Sequence, residues 1–368
     1  MSNKEQGANA VPGKRRQSEK TGSGDRSSSN KRRRVDRYAA LDLGTNNCRL
    51  LIAAPRARGF RIVDAFSRIV RLGEGLSQTG RLSENAMARA LEALKICAEK
   101  NARRNVTYSR CIATQACRGA ENGVEFLERV KAETGLALEI ITPEEEARLA
   151  VTGCSELLDR STSAGLIFDI GGGSTELSWV RPKKGQGEAE ITAWTSLPFG
   201  VVTLAEKWGG RDIDKETYRK IIANIRQEIS SLGDPGKMRP HFENGEAHLL
   251  GTSGTVTAIA GVHLELPRYR RDRVDGLWLG VDEVRIVSEK LMTMGFEERA
   301  EEPCIGHERA DLVVCGCAIL EALLQEWPVR QVRVADRGLR EGILADLADQ
   351  ARKDRGRRRR RRRSKNSS

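Results

Sequence analysis

Two stretches of this sequence set a single carboxylate against a turn of bare backbone. In the run from Leu166 to Val180, Asp169 nearly ends an apolar segment, Gly171, Gly172 and Gly173 turn it, and Ser174, Thr175 and Glu176 lead out into a second one. Glycine N–H groups carry no Cβ beside them, so an oxyanion can approach closely, and successive N–H groups around a bend form an anion-binding concavity. Phosphate is the expected guest. Asp169 adds a hard oxygen ligand of the kind that holds a magnesium ion shared with substrate phosphates. The stretch from Tyr38 to Ala53 repeats the plan with Asp42, Gly44, Thr45 and Asn46, so Asp42 is a second candidate metal ligand. Glycine turns also serve hairpins for conformational reasons alone. Two of them facing each other would hold opposite sides of one phosphate chain.

Three further groups extend the constellation. Glu146 stands near the start of a helix opened by Pro143 and is the candidate base; its neighbours Glu144 and Glu145 would raise its pKa by like-charge repulsion. Acids also suit a helix first turn as dipole partners, and spacing leaves both readings open. Arg118, expected at a strand end, could brace a phosphate through two parallel hydrogen bonds or sit on the surface. Glu176 on the outgoing strand could point to a metal or an attacking water, or outward. A third strand-to-glycine-to-helix junction, Thr252, Ser253, Gly254 and Thr255, offers hydroxyls and N–H groups at a helix start, an anion site by geometry. The four histidines show no catalytic spacing, and no Gly-x-x-x-x-Gly-Lys-Ser/Thr loop is present.

The elements that must position these groups come in two rounds. Strands are expected at 38–43, 49–54 and 60–70, the last two joined by a turn at 56–59, and then at 108–113 and 136–141. Helices are expected from Ser83 as cap to about 103, over 120–133, and from Pro143. The second round has strands at 164–170, 175–181, 189–196, 247–251 and 329–335, and helices at 213–232, 255–263, 308–326 and 338–350. The fold class is therefore α/β, in two related halves with a cleft between them. The expected domains are 37–160 and 161–350, flanked by disordered basic tails at 1–36 and 351–368.

The net charge of +12 on 368 residues belongs to those tails. Residues 1–37 carry +7 and residues 352–368 carry +10, which leaves the intervening body at −5. Nucleic-acid binding by the folded part is not supported, whereas the seven arginines of 357–363 could touch RNA, polyphosphate or an anionic surface. The eight cysteines have no paired or metal-ligand spacing and suit a reducing compartment, and no apolar run would span a bilayer. A cytoplasmic location is expected.

With Asp42-Leu43-Gly44-Thr45-Asn46, Glu145-Glu146-Ala147-Arg148, Asp169 through Glu176, and Gly251-Thr252-Ser253-Gly254-Thr255 in this order, the chain resembles the exopolyphosphatase/guanosine pentaphosphate phosphatase family over roughly residues 37–348. The resemblance implies the duplicated two-domain superfold of actin, sugar kinases and heat-shock chaperones. It implies Glu146 as catalytic glutamate, Asp169 and Glu176 as magnesium and water-positioning carboxylates, and Arg118 as a phosphate contact. The family's first loop usually reads Asp-x-Gly-Ser-Asn-Ser, and here Thr45 and Asn47 replace the serines. The implied reaction removes the terminal phosphate of inorganic polyphosphate, with guanosine pentaphosphate (pppGpp) as the alternative substrate. A non-catalytic sensor or an actin-like ATPase would use the same fold. Longer family members add a helical C-terminal extension linked to chain-length preference and dimer contacts. This chain resembles the short two-domain form, with a homodimer allowed and the arginine tail as a substitute tether.

Overall fold

The computed structural model describes residues 36–56, 59–183 and 189–365. The basic stretch 1–35 and residues 57–58 of the expected turn lie outside the described residues. Two sheets carry the fold. The first holds β1 (Tyr38–Leu43), β2 (Asn47–Pro55), β3 (Phe60–Ile69), β4 (Tyr108–Ala113) and β5 (Leu138–Ile140), in the order β3-β2-β1-β4-β5. The second holds β6 (Ala164–Ile170), β7 (Thr175–Pro182), β8 (Ala189–Leu197), β9 (Ala247–Thr252), β10 (Trp278–Gly280) and β11 (Gln331–Val334), in the order β10-β11-β9-β6-β7-β8.

In each sheet the founding strand pairs antiparallel with the next strand and parallel with a later one, β1 with β2 and β4, β6 with β7 and β9. One plan is thus traced twice, and the expected actin-like α/β duplication is present. β1 and β6 are covered on both faces, which is why they read as unbroken apolar runs. Each admits one acid, Asp42 or Asp169, next to its carboxyl end, where ligands of open α/β sheets bind.

Local chemistry starts the helices. The Ser83 hydroxyl accepts the Ala86 N–H at 3.3 Å to open Glu84–Arg103. The Thr142 hydroxyl accepts the Glu145 N–H at 3.2 Å, with Pro143 in the first turn, to open Pro143–Cys154. The expected helix over 308–326 forms only as Val313–Glu326. Before it, the Glu308 carbonyl and the Asp311 carboxylate turn to receive the guanidinium of Arg71 at 3.1 and 2.9 Å.

The last element departs most from expectation. The stretch assigned to the second half, and the tail 351–368 expected to be disordered, form one helix, Leu339–Lys365, and only 366–368 lie outside the described residues. Repulsion between arginines argued for disorder, but arginine is among the better helix formers and extending an existing helix costs little. The helix also packs on the first sheet, not the second. Strand alternation sends Ala39, Leu41 and Leu43 of β1 to one face, where the Glu84–Arg103 helix covers them. Tyr38 and Ala40 go to the other face, and Ile343, Leu344, Leu347 and Ala351 of the closing helix cover that one.

The closing helix crosses Pro143–Cys154 at van der Waals contact of backbones. A Cβ added at Gly342 would lie 2.1 Å from the Leu149 carbonyl oxygen, and one at Gly153 would lie 1.9 Å from that of Gly338. Gly342→Ala gains about 1 kcal/mol in helix propensity but overpacks against backbone, at a cost on the order of 1–3 kcal/mol. A lower midpoint in denaturant titration, with unchanged slope, is expected; an unchanged or raised midpoint would contradict this close crossing.

Candidate active site

The two glycine tips meet. A Cβ on Gly172 would lie 3.1 Å from Thr45 Cβ and 3.2 Å from the Asn46 nitrogen, and one on Gly173 would lie 2.9 Å from Thr45 Oγ1. Glycine suits both positions because a side chain would crowd Thr45 and Asn46 of the opposite tip. The first tip is closed by Gly44 N–H donating to the Asn47 carbonyl at 2.9 Å, and the second by Gly171 N–H donating to the Ser174 carbonyl at 2.9 Å. Around this junction lies a cavity of about 840 Å³. Asp42, Gly44, Thr45, Asn46, Asp169, Gly171, Gly172 and all four residues of the Thr252–Thr255 junction contribute to its lining.

Glu146, Glu176 and Arg118 do not line that cavity. Glu146 interacts electrostatically with both aspartates and Glu176 with Asp169. Arg118 sits on a short helix, Gln115–Gly119, one turn past the strand end where it was expected. Its Nη1 donates to the Ile141 carbonyl at 2.8 Å and to Glu146 Oε2 at 3.2 Å, and its Nη2 donates to Gln115 Oε1 at 2.9 Å. Glu176 is buried, and it accepts from the hydroxyls of Ser174 at 2.6 Å and Ser196 at 3.0 Å. Ser174, an expected phosphate contact, therefore directs its hydroxyl to Glu176.

The three adjacent glutamates separate cleanly. Glu145 pairs with Arg110 at 3.0 Å and Arg148 at 2.8 Å, and Arg148 chiefly holds its carboxyl below the usual range. Glu146 points inward and its pKa is pushed well up, first by burial and then by Glu176, against the pull of Arg118. The expected push from Glu144 and Glu145 is not its cause; Asp42 and Asp169 supply the remaining repulsion. Burial likewise lifts Asp42, raises Asp169 to about 6, and raises Glu176 to about 7 with help from Asp169.

The third junction is partly committed to structure. The Thr252 hydroxyl donates to the Arg337 carbonyl at 2.7 Å and the Ser253 hydroxyl to the Ile170 carbonyl at 2.7 Å. What this junction offers a ligand is the start of the helix Ser253–His263.

Among the described residues, no group of three His, Cys, Asp or Glu is placed to enclose a metal ion. Magnesium does not need one, because it keeps waters and takes substrate oxygens beside one or two carboxylates. The donor set fits it: four acids repel one another here, and the buried side-chain oxygens of Asn46 and Asn47 find no hydrogen-bond partner. Asp42 and Asp169, the two of these acids that line the cavity, are the residues that would hold the ion; Glu176, expected as a third ligand, accepts instead from Ser174 and Ser196.

Sequence reading missed the arginines of the cavity, above all Arg49 and Arg340. For Arg49 a signal existed. It pairs across β1 and β2 with Asp42 as Glu176 pairs across β6 and β7 with Asp169, so duplication marks it as the counterpart of Glu176.

A profile of the Ppx/GppA phosphatase family matches residues 51–351. The fold superposes on a Ppx/GppA family member from Aquifex aeolicus with a TM-score of 0.71 at 29% identity, over 86% of this chain and 99% of that one. An exopolyphosphatase-like protein superposes with a TM-score of 0.75 at 27% identity, over 86% of this chain and 99% of that one. An exopolyphosphatase from Cytophaga hutchinsonii, 23% identical, shares the fold with a TM-score of 0.74 over 85% of this chain and 98% of that one.

The raised carboxyl of Asp169 has a stability consequence. The folded protein holds this proton up to about pH 6, while the unfolded chain releases it near pH 4. Stability from this group is therefore full below pH 4 and declines as pH rises to about 6. Asp169→Asn, without metal, is expected to melt higher than the wild type at pH 8, by on the order of 1–3 kcal/mol after allowance for the solvent that reaches the cleft. The difference should shrink toward pH 4. An Asn variant that melts lower at pH 8 would show that the charged form is stabilised here.

Proposed function

The chain belongs to the Ppx/GppA phosphatase family, and from that premise we propose that it is an exopolyphosphatase, hydrolysing the terminal phosphoanhydride of inorganic polyphosphate. One observation carries this reading: bare-backbone tips from both halves touch beside a cluster of protonation-prone acids. The N–H groups of the tips and of the Ser253–His263 helix would bind phosphate oxygens. Glu146, its proton affinity raised by burial, would take a proton from the attacking water. The bridging oxygen of the cleaved P–O bond would keep the bonding electron pair and leave with the shortened chain. A magnesium ion on Asp42 and Asp169 would supply positive charge to the phosphate oxygens.

Arg118 would act on the water side, holding Glu146 in place through its bond at 3.2 Å. That differs from a direct brace on substrate, since three of its N–H bonds already go to protein groups. The eight cysteines are buried and free, which supports a reducing compartment and the proposed cytoplasmic location. Among the described residues no helix is long and apolar enough to cross a membrane.

Polymer is favoured over pppGpp by the closing helix. Its first turn lines the cavity and its last turns carry the run Arg357–Arg363. At about 1.5 Å per residue, the two are separated by roughly 25–35 Å, a distance a long polyphosphate spans and a nucleotide does not.

Two measurements test the reading. Glu146→Gln should cut phosphate release about 10²–10⁴-fold with a melting temperature no lower than that of the wild type, and the wild-type rate should rise with pH through a limb above the ordinary glutamate range. Undiminished turnover by the variant would leave a sensor with incidental hydrolysis. Deleting residues 355–368 should raise KM for long polyphosphate several-fold and leave KM for tripolyphosphate unchanged; equal KM values for long chains would contradict the tether. Faster release from pppGpp than from polyphosphate at matched concentrations would reverse the substrate order, and ATP turnover above both would favour an actin-like ATPase.

A further inference from the structure

We propose that Arg340 binds the phosphate that leaves with the shortened chain and stabilises the negative charge developing on its bridging oxygen. The inference rests on the phosphoanhydride hydrolysis proposed above.

Of the six arginines that line the cavity, Arg271 and Arg337 are engaged, whereas Arg49, Arg68, Arg309 and Arg340 make no side-chain hydrogen bond or ion pair with any described residue. Arg71 binds Asp311 through both terminal nitrogens at 2.9 Å, Arg271 binds Glu341 at 2.8 Å, and Arg337 binds Asp275 at 2.5 Å and Glu156 at 3.0 Å. Arg340 lines the same cavity but makes no hydrogen bond and no ion pair with any described residue. It is partly buried, and of these four it is the one whose pKa burial pulls down. An unpaired guanidinium held out of water is costly unless something supplies an anion.

Its anchor is rigid. Arg340 stands in the first turn of the closing helix, where the Glu341 carboxylate accepts the Gly338 N–H at 2.9 Å. The preceding carbonyl, of Arg337, receives the Thr252 hydroxyl at 2.7 Å and the Cys154 thiol at 3.1 Å. The Ala335 N–H donates to the Gly251 carbonyl at 2.9 Å. The turn is thus tied to the end of β9 and to the helix that carries Glu146. Only the guanidinium is left uncommitted, which is the arrangement of a preorganised anion contact.

Direction follows from the charges. Asp42 is flanked electrostatically by Arg49 and Arg340, whereas Glu146 is flanked by Glu176, Arg118 and then the two aspartates. A terminal phosphorus at the aspartates would have the water on the Glu146 side and the departing group on the arginine side, as in-line displacement requires. Arg49 pulls on both aspartates and faces Gly254, with its Nη2 3.9 Å from a Cβ placed there, so it serves the terminal phosphate. Arg340, on the cavity wall at the first turn of the closing helix, acts on Asp42 and is left for the next phosphate of the chain. In the step, the leaving oxygen gains the electron pair of the broken P–O bond, the water's proton goes to Glu146, and Arg340 pairs with the new charge without transferring a proton.

The test compares the full-length wild type with Arg340→Ala and Arg340→Lys. Calorimetric binding of pyrophosphate, the departing fragment of tripolyphosphate, should weaken at least tenfold in Arg340→Ala, while orthophosphate binding changes less than twofold. Turnover of tripolyphosphate should fall about 10²–10³-fold and recover in part, saturably, with added guanidinium; Arg340→Lys should fall between the two. Equal weakening for both anions, or unchanged pyrophosphate binding, overturns the assignment. Should Arg340→Ala fail to fold, the same pyrophosphate-to-orthophosphate ratio is read from Arg340→Lys, where a ratio equal to that of the wild type is the contrary result. Absence of tripolyphosphate turnover by the wild type would count against the proposed function, while the binding comparison would still judge Arg340.

Discussion

Two loops meet with no room for a side chain between them, and the carboxylates of Asp42, Asp169, Glu146 and Glu176 crowd around that contact. Both facts cost stability. Thr45 and Asn46 lie so close to Gly172 and Gly173 that any side chain there would crowd them, and burial raises the proton affinity of each acid, with repulsion adding to it at Asp169 and Glu176. Such a cluster is relieved by a cation and by phosphate-binding N–H groups that share it, so the unfavourable charge arrangement and the ligand chemistry are two aspects of one feature.

Duplication explains how the contact arises, and its breakdown explains why the cleft has a direction. The founding strand of each half delivers an aspartate near its carboxyl end and turns it over on glycine. The partner of that aspartate across the hairpin is an arginine in one half and a glutamate in the other. Further asymmetry comes from the helices. Pro143–Cys154 brings Glu146 to the acidic side, and the closing helix brings Arg340 to the basic side. Since those two helices approach closely at Gly342 against Leu149 and at Gly153 against Gly338, Glu146 and Arg340 are fixed to one another through two backbone contacts.

Much of this was legible in the residues. Apolar runs ending in one acid and a glycine turn specify a buried central strand and a bare tip, and repeating them specifies two lobes. The helix cap at Ser83 was readable because its hydrogen bond spans three residues, and Pro143 marked the start of the next helix, whose cap Thr142 went unread. What escaped depended on distant partners. The closing helix was assigned by order along the chain to the half it follows, yet its apolar stripe fits the first sheet's uncovered face. Its continuation through the arginines was hidden because repulsion was weighed without the helix already in place. The cause of the Glu146 shift lay in side chains from three other elements, not in its neighbours. Arg340 gives no signal in spacing; its place on the cavity wall without a carboxylate partner emerges only in three dimensions.

Everything rests on where the water strikes. Hydrolysis of tripolyphosphate in water enriched in oxygen-18, followed by phosphorus NMR of the products, reads this directly. If the terminal phosphorus sits at the aspartates with Glu146 behind it, the label enters the released orthophosphate and none enters pyrophosphate. Label in pyrophosphate would mean attack on the inner phosphorus, and would contradict the placement of the substrate in the cleft.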